Sequence, residues 1–156
     1  MYVDNNLVVS GAVSAAGVVS GQTGYSAGTS VLSTHSVDLG STRDIGEGQD
    51  LYGRFEVTIA GAGGTSIECQ IIAADDAALT TSVDVLGTTG AIPIASLTLA
   101  SRFSCAINPK LASKGQRYVG ARYVSVGTTT AGSFFADIGA EIQDGQKFYP
   151  SGFAVL

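Results

Sequence analysis

Charged side chains are scarce in this sequence. Asp, Glu, Lys and Arg make up 13% of the 156 residues, against about 25% in a typical soluble domain. The eight basic residues form no run, and the net charge is −5. A nucleic-acid-binding surface needs a basic patch, so we expect no nucleic-acid partner. A surface with few charges is only weakly protected against association, which suits a protein with large interfaces. The same composition fits a protein with a plain neutral surface equally well.

Reactive side chains are scarcer still. His35 is the only histidine, and there is no tryptophan. One histidine cannot supply the histidine cluster of a cupin-type metal site. Ser33, Ser36 and Asp38 lie near His35, yet no G-x-S-x-G elbow accompanies them. The sequence therefore predicts no catalytic residue, no metal ligand and no cofactor, and the protein is not expected to be an enzyme.

Disulfides and membrane segments also find little support. Cys69 and Cys105 each alternate with apolar neighbours, which predicts reduced core thiols and leaves a bond between them open. No apolar run approaches the length of a transmembrane helix, so we expect no membrane partner. The apolar start lacks a basic region and follows Asp4. This favours a mature N-terminus over a signal peptide, and a protein used inside a cell or released without secretion.

Several glycine-rich and acidic motifs indicate turns more than ligand sites. DIGEGQD (44–50) places three acidic residues around two glycines, which favours a solvated turn over a calcium loop. GAGGTS (61–66) lacks the lysine of a phosphate-binding loop. GEGQDLYG (46–53) precedes a strand, where a nucleotide-binding turn would open a helix. Asp75 and Asp76 are expected to open a turn or cap one helical turn, with Pro109–Ala112 as another place for such a turn.

Several segments of the chain alternate apolar and polar residues with a period of two. One face of a predicted strand carries Leu51, Gly53, Phe55, Val57 and Ile59. Similar segments recur about every ten residues between turn residues, with no long helix between them. They predict an all-β antiparallel sandwich or barrel. The predicted strands are residues 34–39, 51–60, 65–73, 81–86, 92–99, 102–107, 118–126, 133–142 and 147–154.

The two ends of the chain differ from this pattern. Residues 9–31 are Gly, Ala, Ser, Val and Thr almost throughout, which predicts an extended arm with one or two short strand pieces. We expect an N-terminal arm over 1–32, a β-sandwich domain over 33–146, and a C-terminal tail over 147–156 that packs on the domain or on a neighbour.

Four segments together resemble the capsid cement, or decoration, proteins of short-tailed bacteriophages. The first is the start YVDNNLVVS, and the second is STHSVDLGSTRDIGEGQDLYGRFEVTIAG, with the V-D-L-G and R-D-I-G-x-G motifs. The third is IECQIIAADDAALTTSVDVLGTTGAIPIASLTLASRF, and the fourth is KGQRYVGARYVSVGTTTAGSFFADIGAEI. The resemblance covers about residues 33–142 and the first ten. The glycine-alanine arm and the tail QDGQKFYPSGFAVL depart from the family pattern.

This resemblance implies a jelly-roll β-sandwich without catalysis or cofactor. It implies binding of the major capsid protein on the outer surface of the virion, assembly in the host cytoplasm, and self-association as a homodimer or homotrimer. Aromatic residues near the ends either dock on such partners or pack back on the domain. The expected capsid or self-interface residues are Tyr2, Val3, Leu7, Tyr25, Phe148, Tyr149 and Phe153. A jelly-roll module that binds carbohydrate or a receptor is the alternative, and a hydrolase with His35 or paired acids in a cleft is the least favoured.

Overall fold

The computed structural model describes residues 5–26, 29–40, 50–108 and 115–140. Within these ranges the chain forms twelve β-strands and two 3-10 turns, Asn5–Leu7 and Ile94–Ser96. The strands are β1 (Val8–Ser10), β2 (Ala12–Val13), β3 (Val19–Ser20), β4 (Gln22–Thr23), β5 (Ser30–Leu32), β6 (Val37–Asp38), β7 (Tyr52–Gly63), β8 (Ser66–Ala74), β9 (Asp84–Pro93), β10 (Arg102–Ala106), β11 (Tyr118–Val126) and β12 (Thr129–Gly139).

The strands form two antiparallel sheets packed as a sandwich. Sheet 1 has the order β1-β12-β7-β10, with β4 also paired to β12. Sheet 2 has the order β5-β11-β8-β9, with β6 also paired to β11. The pair β2-β3 forms a small separate hairpin. The prediction of an all-β fold with antiparallel sheets is confirmed.

The core lies between the inner faces of the two sheets. Its centre is Tyr123, whose ring stacks on Phe134 at 5.0 Å and meets the edge of Phe55 at 6.2 Å. All three side chains are fully buried. Phe55 and Val57 lie on the inner face of β7, as the alternation predicts. Aromatic contacts of this geometry stabilise a core by about 0.5–1.5 kcal/mol beyond burial of their area.

Both cysteines belong to this core. Cys69 and Cys105 are free and buried, which confirms the prediction of reduced core thiols. Burial raises the pKa of the Cys69 thiol far above its usual value and that of Cys105 to about 11. A thiol that stays protonated is a poor nucleophile, so these two side chains act as small apolar groups.

A second, smaller cluster lies on the outer face of sheet 2. The loop between β8 and β9 folds back over this face and buries Leu79 against Ile72 and Ala74. Gly120 allows the approach, since a Cβ there would lie 2.3 Å from Cδ1 of Leu79. The Asp76 carboxylate accepts hydrogen bonds from the Thr80 and Thr81 backbone N–H groups and so closes the loop. The sequence predicts that Asp75 and Asp76 open a turn or cap one helical turn. The structure has a turn at this place, and the loop contains no helix.

The structure differs from the predicted strand over 92–99. Strand β9 ends at Pro93, and a 3-10 turn follows at Ile94–Ser96. In a 3-10 turn the side chains at i and i+3 lie on the same side. Ile94 and Leu97 therefore both pack toward Gly61, whereas a strand would send them to opposite faces. The predicted strand over 147–154 and the helical turn at 109–112 lie outside the described residues.

The N-terminal segment contributes more strands than expected. The sequence predicts one or two short strand pieces in residues 9–31, and the structure places five strands, β1 to β5, between residues 8 and 32. Small residues make this possible, because a Cβ on Gly24 would lie 2.3 Å from the Phe134 ring. The domain limits at residues 32 and 146 stay predictions.

Candidate functional site

The hydroxyl groups of Ser33 and Ser36, on either side of His35, form hydrogen bonds with backbone groups. Ser33 Oγ donates to the His35 carbonyl at 2.8 Å and accepts from the Ala121 N–H at 2.9 Å. Ser36 Oγ donates to the Ala77 carbonyl at 3.0 Å. Asp38 pairs with Arg117, and His35 itself is exposed. These contacts attach the segment before β6 to β11 and to the β8–β9 loop, and they do not assemble a Ser–His–Asp arrangement.

Asp38 and Arg117 form an exposed ion pair at one end of sheet 2. Nε and Nη2 of Arg117 donate to the two carboxylate oxygens at 2.6 and 2.7 Å. The hydrogen bonds from Arg117, followed by one from the Gly40 N–H, lower the pKa of Asp38 to about 2. The guanidinium also lies 5.3 Å from the centre of the Tyr118 ring, at cation–π distance. The pair ties β6 to the start of β11.

Arg54 and Asp137 form the same kind of pair on sheet 1, but it is buried. They are direct cross-strand neighbours on β7 and β12. Nε of Arg54 donates to Oδ1 of Asp137 at 2.9 Å, and Nη2 contacts Oδ2. The Asp137 side chain is only 2% exposed. Burial raises the pKa of this carboxyl, and the hydrogen bonds from Arg54 oppose that effect.

A polar ladder crosses the outer face of sheet 2. Glu68 accepts hydrogen bonds from Thr88 at 2.6 Å and from Gln70 at 2.7 Å, and these bonds lower its pKa. Arg122 donates to Oε1 of Gln70 at 2.7 Å. Like the Arg117–Asp38 and Arg54–Asp137 pairs, this ladder links neighbouring strands, so these polar side chains stabilise the sheet.

Among the described residues, no group of three or more His, Cys, Asp and Glu side chains is placed to hold a metal ion. No helix in this part of the chain is long and apolar enough to cross a membrane.

The end of the sandwich opposite the two Arg–Asp pairs is built without charge. It consists of the β7–β8 turn, the connection from β9 to β10 and the β11–β12 turn, and we name it the charge-free end (residues 59–66, 93–101 and 125–131). None of these segments contains Asp, Glu, Lys, Arg or His. The Arg–Asp pairs lie toward the other end of the same strands, which we name the charged end (the start of β7 and of β11, the end of β12, β6 and the β8–β9 loop).

Backbone hydrogen bonds join the segments of the charge-free end. The Thr65 N–H donates to the Val126 carbonyl at 2.8 Å, and the Ile94 N–H donates to the Thr65 carbonyl at 3.1 Å. The Gly61 N–H donates to the Leu97 carbonyl at 2.8 Å. The turns are therefore connected to one another and form one continuous, preorganised surface.

Large apolar side chains are exposed on this end. Leu99 is 68% exposed, Ile59 is 56% exposed and Val126 is 53% exposed. The fourth exposed large apolar residue in the described ranges is Val18, next to β3 in a segment that also lacks charge. Three exposed apolar side chains in connected segments without charges mark this end as a candidate contact site.

The predicted interface residues are only partly within the described ranges. Leu7 lies half-buried in the first 3-10 turn, and Tyr25 is half-buried against the main core. Tyr2, Val3, Phe148, Tyr149 and Phe153 lie outside the described residues. Sequence reasoning missed the charge-free end, although its signal was present as the charge-free stretches 57–67, 85–101 and 123–136.

Fold and surfaces together define an all-β sandwich protein with a charged end and a charge-free end. The family model Bbp16 matches residues 18–138, so the chain belongs to the Bbp16 family. The search of curated proteins gave no match to this chain.

Proposed function

We propose that this protein is a structural component of a bacteriophage virion. It binds the outer surface of the capsid and cements neighbouring major capsid subunits, which stabilises the head against the pressure of packaged DNA. The proposal rests on the sequence resemblance to capsid cement proteins and on the architecture of the sandwich. The polar side chains described above contact other parts of the same chain, as expected for a protein that acts by binding a partner with its surface.

The observation that carries the proposal is the way in which the N-terminal segment ties the two sheets together. Strands β1 and β4 extend sheet 1, and β5 and β6 extend sheet 2. The Gln22 side chain joins them: Nε2 donates to the Leu32 carbonyl at 2.6 Å, and Oε1 accepts from the Thr34 N–H at 2.8 Å and from Ser10 Oγ at 3.0 Å. Sheets connected in this way resist sliding past one another.

A rigid sandwich of this kind can stabilise a boundary between capsid subunits. Contact area with two subunits must be lost before they separate, and a standard protein interface buries roughly 1,600 Å² in total. Modest affinity at each contact becomes firm retention when several sites are held at once. The net charge of −5 gives the protein no attraction to DNA.

The test compares phage heads assembled with and without this protein. Both preparations are heated in steps, and DNA release is followed with an intercalating dye. We expect decorated heads to release DNA at a higher temperature, and purified protein added back to bare heads to restore this temperature. Equal release from both preparations, or no effect of the added protein, would contradict the proposal.

A further inference from the structure

We propose that the charge-free end is the surface with which the protein sits on the capsid, against a patch of the coat protein that is itself uncharged. This inference rests on the proposed function and assigns the contact to one end of the sandwich. The charged end then faces solvent.

The first argument for this assignment is the distribution of charge. In the described part of the chain, every Asp, Glu and Arg lies outside the three segments of the charge-free end. The nearest charge beyond segment 93–101 is Arg102, which is paired with Glu56 at 3.0 Å. A contact confined to these three segments therefore buries no charge of this protein, and burying an unpaired charge is costly. The same cost applies to the partner, because a charged coat residue placed here would lose water without gaining an ion pair. The matching coat surface is therefore neutral.

The second argument for this assignment is the exposure of apolar side chains. Leu99, Ile59 and Val126 are each more than half exposed, so a partner can cover a large apolar area on each of them. Removal of exposed apolar area from water favours association. The hydrogen bonds between the turns hold this surface in place before binding, which lowers the entropy lost on association.

A second copy of this chain is the competing occupant of the surface. Pairing of two copies through the same end would bury these side chains between them, and the capsid would then be bound through another surface. Under the proposed function, a neutral coat patch lets the charge-free end make the capsid contact itself and leaves the acid-rich charged end in solvent, where net charge favours solubility.

The test places charges of both signs on each end. Leu99→Glu and Leu99→Lys alter the charge-free end, and Val126→Glu supplies a second position there. Ala78→Glu and Ala78→Lys are the matched controls, since Ala78 is exposed on the β8–β9 loop at the charged end. Binding of each fluorescently labelled variant to heads assembled without the protein is measured by co-sedimentation, and thermal melting checks that each variant is folded.

We expect both Leu99 variants and Val126→Glu to bind at least about tenfold more weakly than the parent, whatever the sign of the charge. The Ala78 variants should bind like the parent. Parent-like binding of the Leu99 and Val126 variants, or loss of binding in the Ala78 variants, overturns the assignment. Dissociation of a free oligomer by Leu99→Glu, seen by light scattering, overturns it in favour of a self-interface. A parent protein that binds no heads refutes the proposed function, and the assignment with it.

Discussion

The two ends of the sandwich differ in whether charged side chains take part in joining the strands. At the charge-free end the turns are joined by backbone and neutral side-chain hydrogen bonds alone, such as that from Thr130 Oγ1 to the Ala62 carbonyl. Arg54–Asp137 and Arg117–Asp38 each connect neighbouring strands at the charged end. At the other end, Thr65 and Val126 meet through their backbones. The difference shows how a sandwich can join its strands with charged groups at one end while three connected segments at the other end carry no charge.

The largest effect is expected from breaking the buried pair at the charged end. Asp137→Ala leaves the Arg54 guanidinium, whose side chain is 15% exposed, without its partner. Loss of one member of a buried ion pair lowers the free energy of unfolding by about 3–5 kcal/mol. Urea denaturation followed by circular dichroism measures this change.

Two further variants sharpen this comparison. The double variant Arg54→Met/Asp137→Leu replaces both charges with apolar groups and should regain most of the lost stability. Asp38→Ala breaks a pair with similar hydrogen bonds that is more than 40% exposed, and its effect should be far smaller. Similar losses for Asp137→Ala and Asp38→Ala would show that burial does not distinguish the two pairs.

An intermediate effect is expected from a glycine of the charge-free end. Gly64 has a φ of +66°, and a Cβ there would lie 2.4 Å from Oγ1 of Thr129 and 2.9 Å from the Val126 carbonyl oxygen. Gly64→Ala should lower the free energy of unfolding by about 2–3 kcal/mol. The change is measured by the same urea denaturation.

Gly90 is the matched control for this substitution. Its φ of +70° is nearly the same, but an added Cβ would have no atom within 4 Å. Gly90→Ala should therefore cost only about 1 kcal/mol, the strain of the left-handed backbone alone. Equal losses at the two positions would mean that the turns at the charge-free end are not closely packed.

The smallest effect concerns acid stability at the charged end. The pKa of Asp38 is lowered to about 2 in the folded protein. Because the folded value lies below the unfolded one, the stability linked to this carboxylate is present above about pH 4 and is lost as the pH falls toward 2. The difference in urea midpoint between the parent and Asp38→Asn should therefore shrink over this range. A difference that stays constant with pH would contradict the assigned role of Arg117.

Much of the fold could be predicted from local sequence patterns. The alternation in residues 51–60 predicted a strand with Phe55 and Val57 in the core, and both are buried in β7. The same alternation places Ile59 on one face with Phe55 and Val57, but Ile59 is 56% exposed. The pairing with β12 shifts register at this point: Ser133 lies opposite Ile59 and Phe134 opposite Val57, so β7 carries Thr58 as an extra residue. An extra residue changes the faces to which the side chains of a strand point, and the apolar–polar alternation of the sequence does not reveal it.

The candidate contact surface could be predicted only in part. The charge-free stretches are visible in the sequence, but their meeting at one end depends on strand direction and on contacts such as Thr65 with Val126. Those contacts join residues about 60 positions apart and follow from the topology of the sheets. The aromatic residues drew attention to the chain ends, and of these Tyr25 packs against its own core.

The most direct measurement is a cryo-EM map of phage heads decorated with this protein. We expect density for the sandwich on the outer surface at boundaries between coat subunits. The turns that contain Gly64 and Val126 should point toward the shell, and Asp38 and Arg117 toward solvent. A sandwich seated through its charged end would contradict the assignment of the contact surface, and heads without density for this protein would contradict the account as a whole.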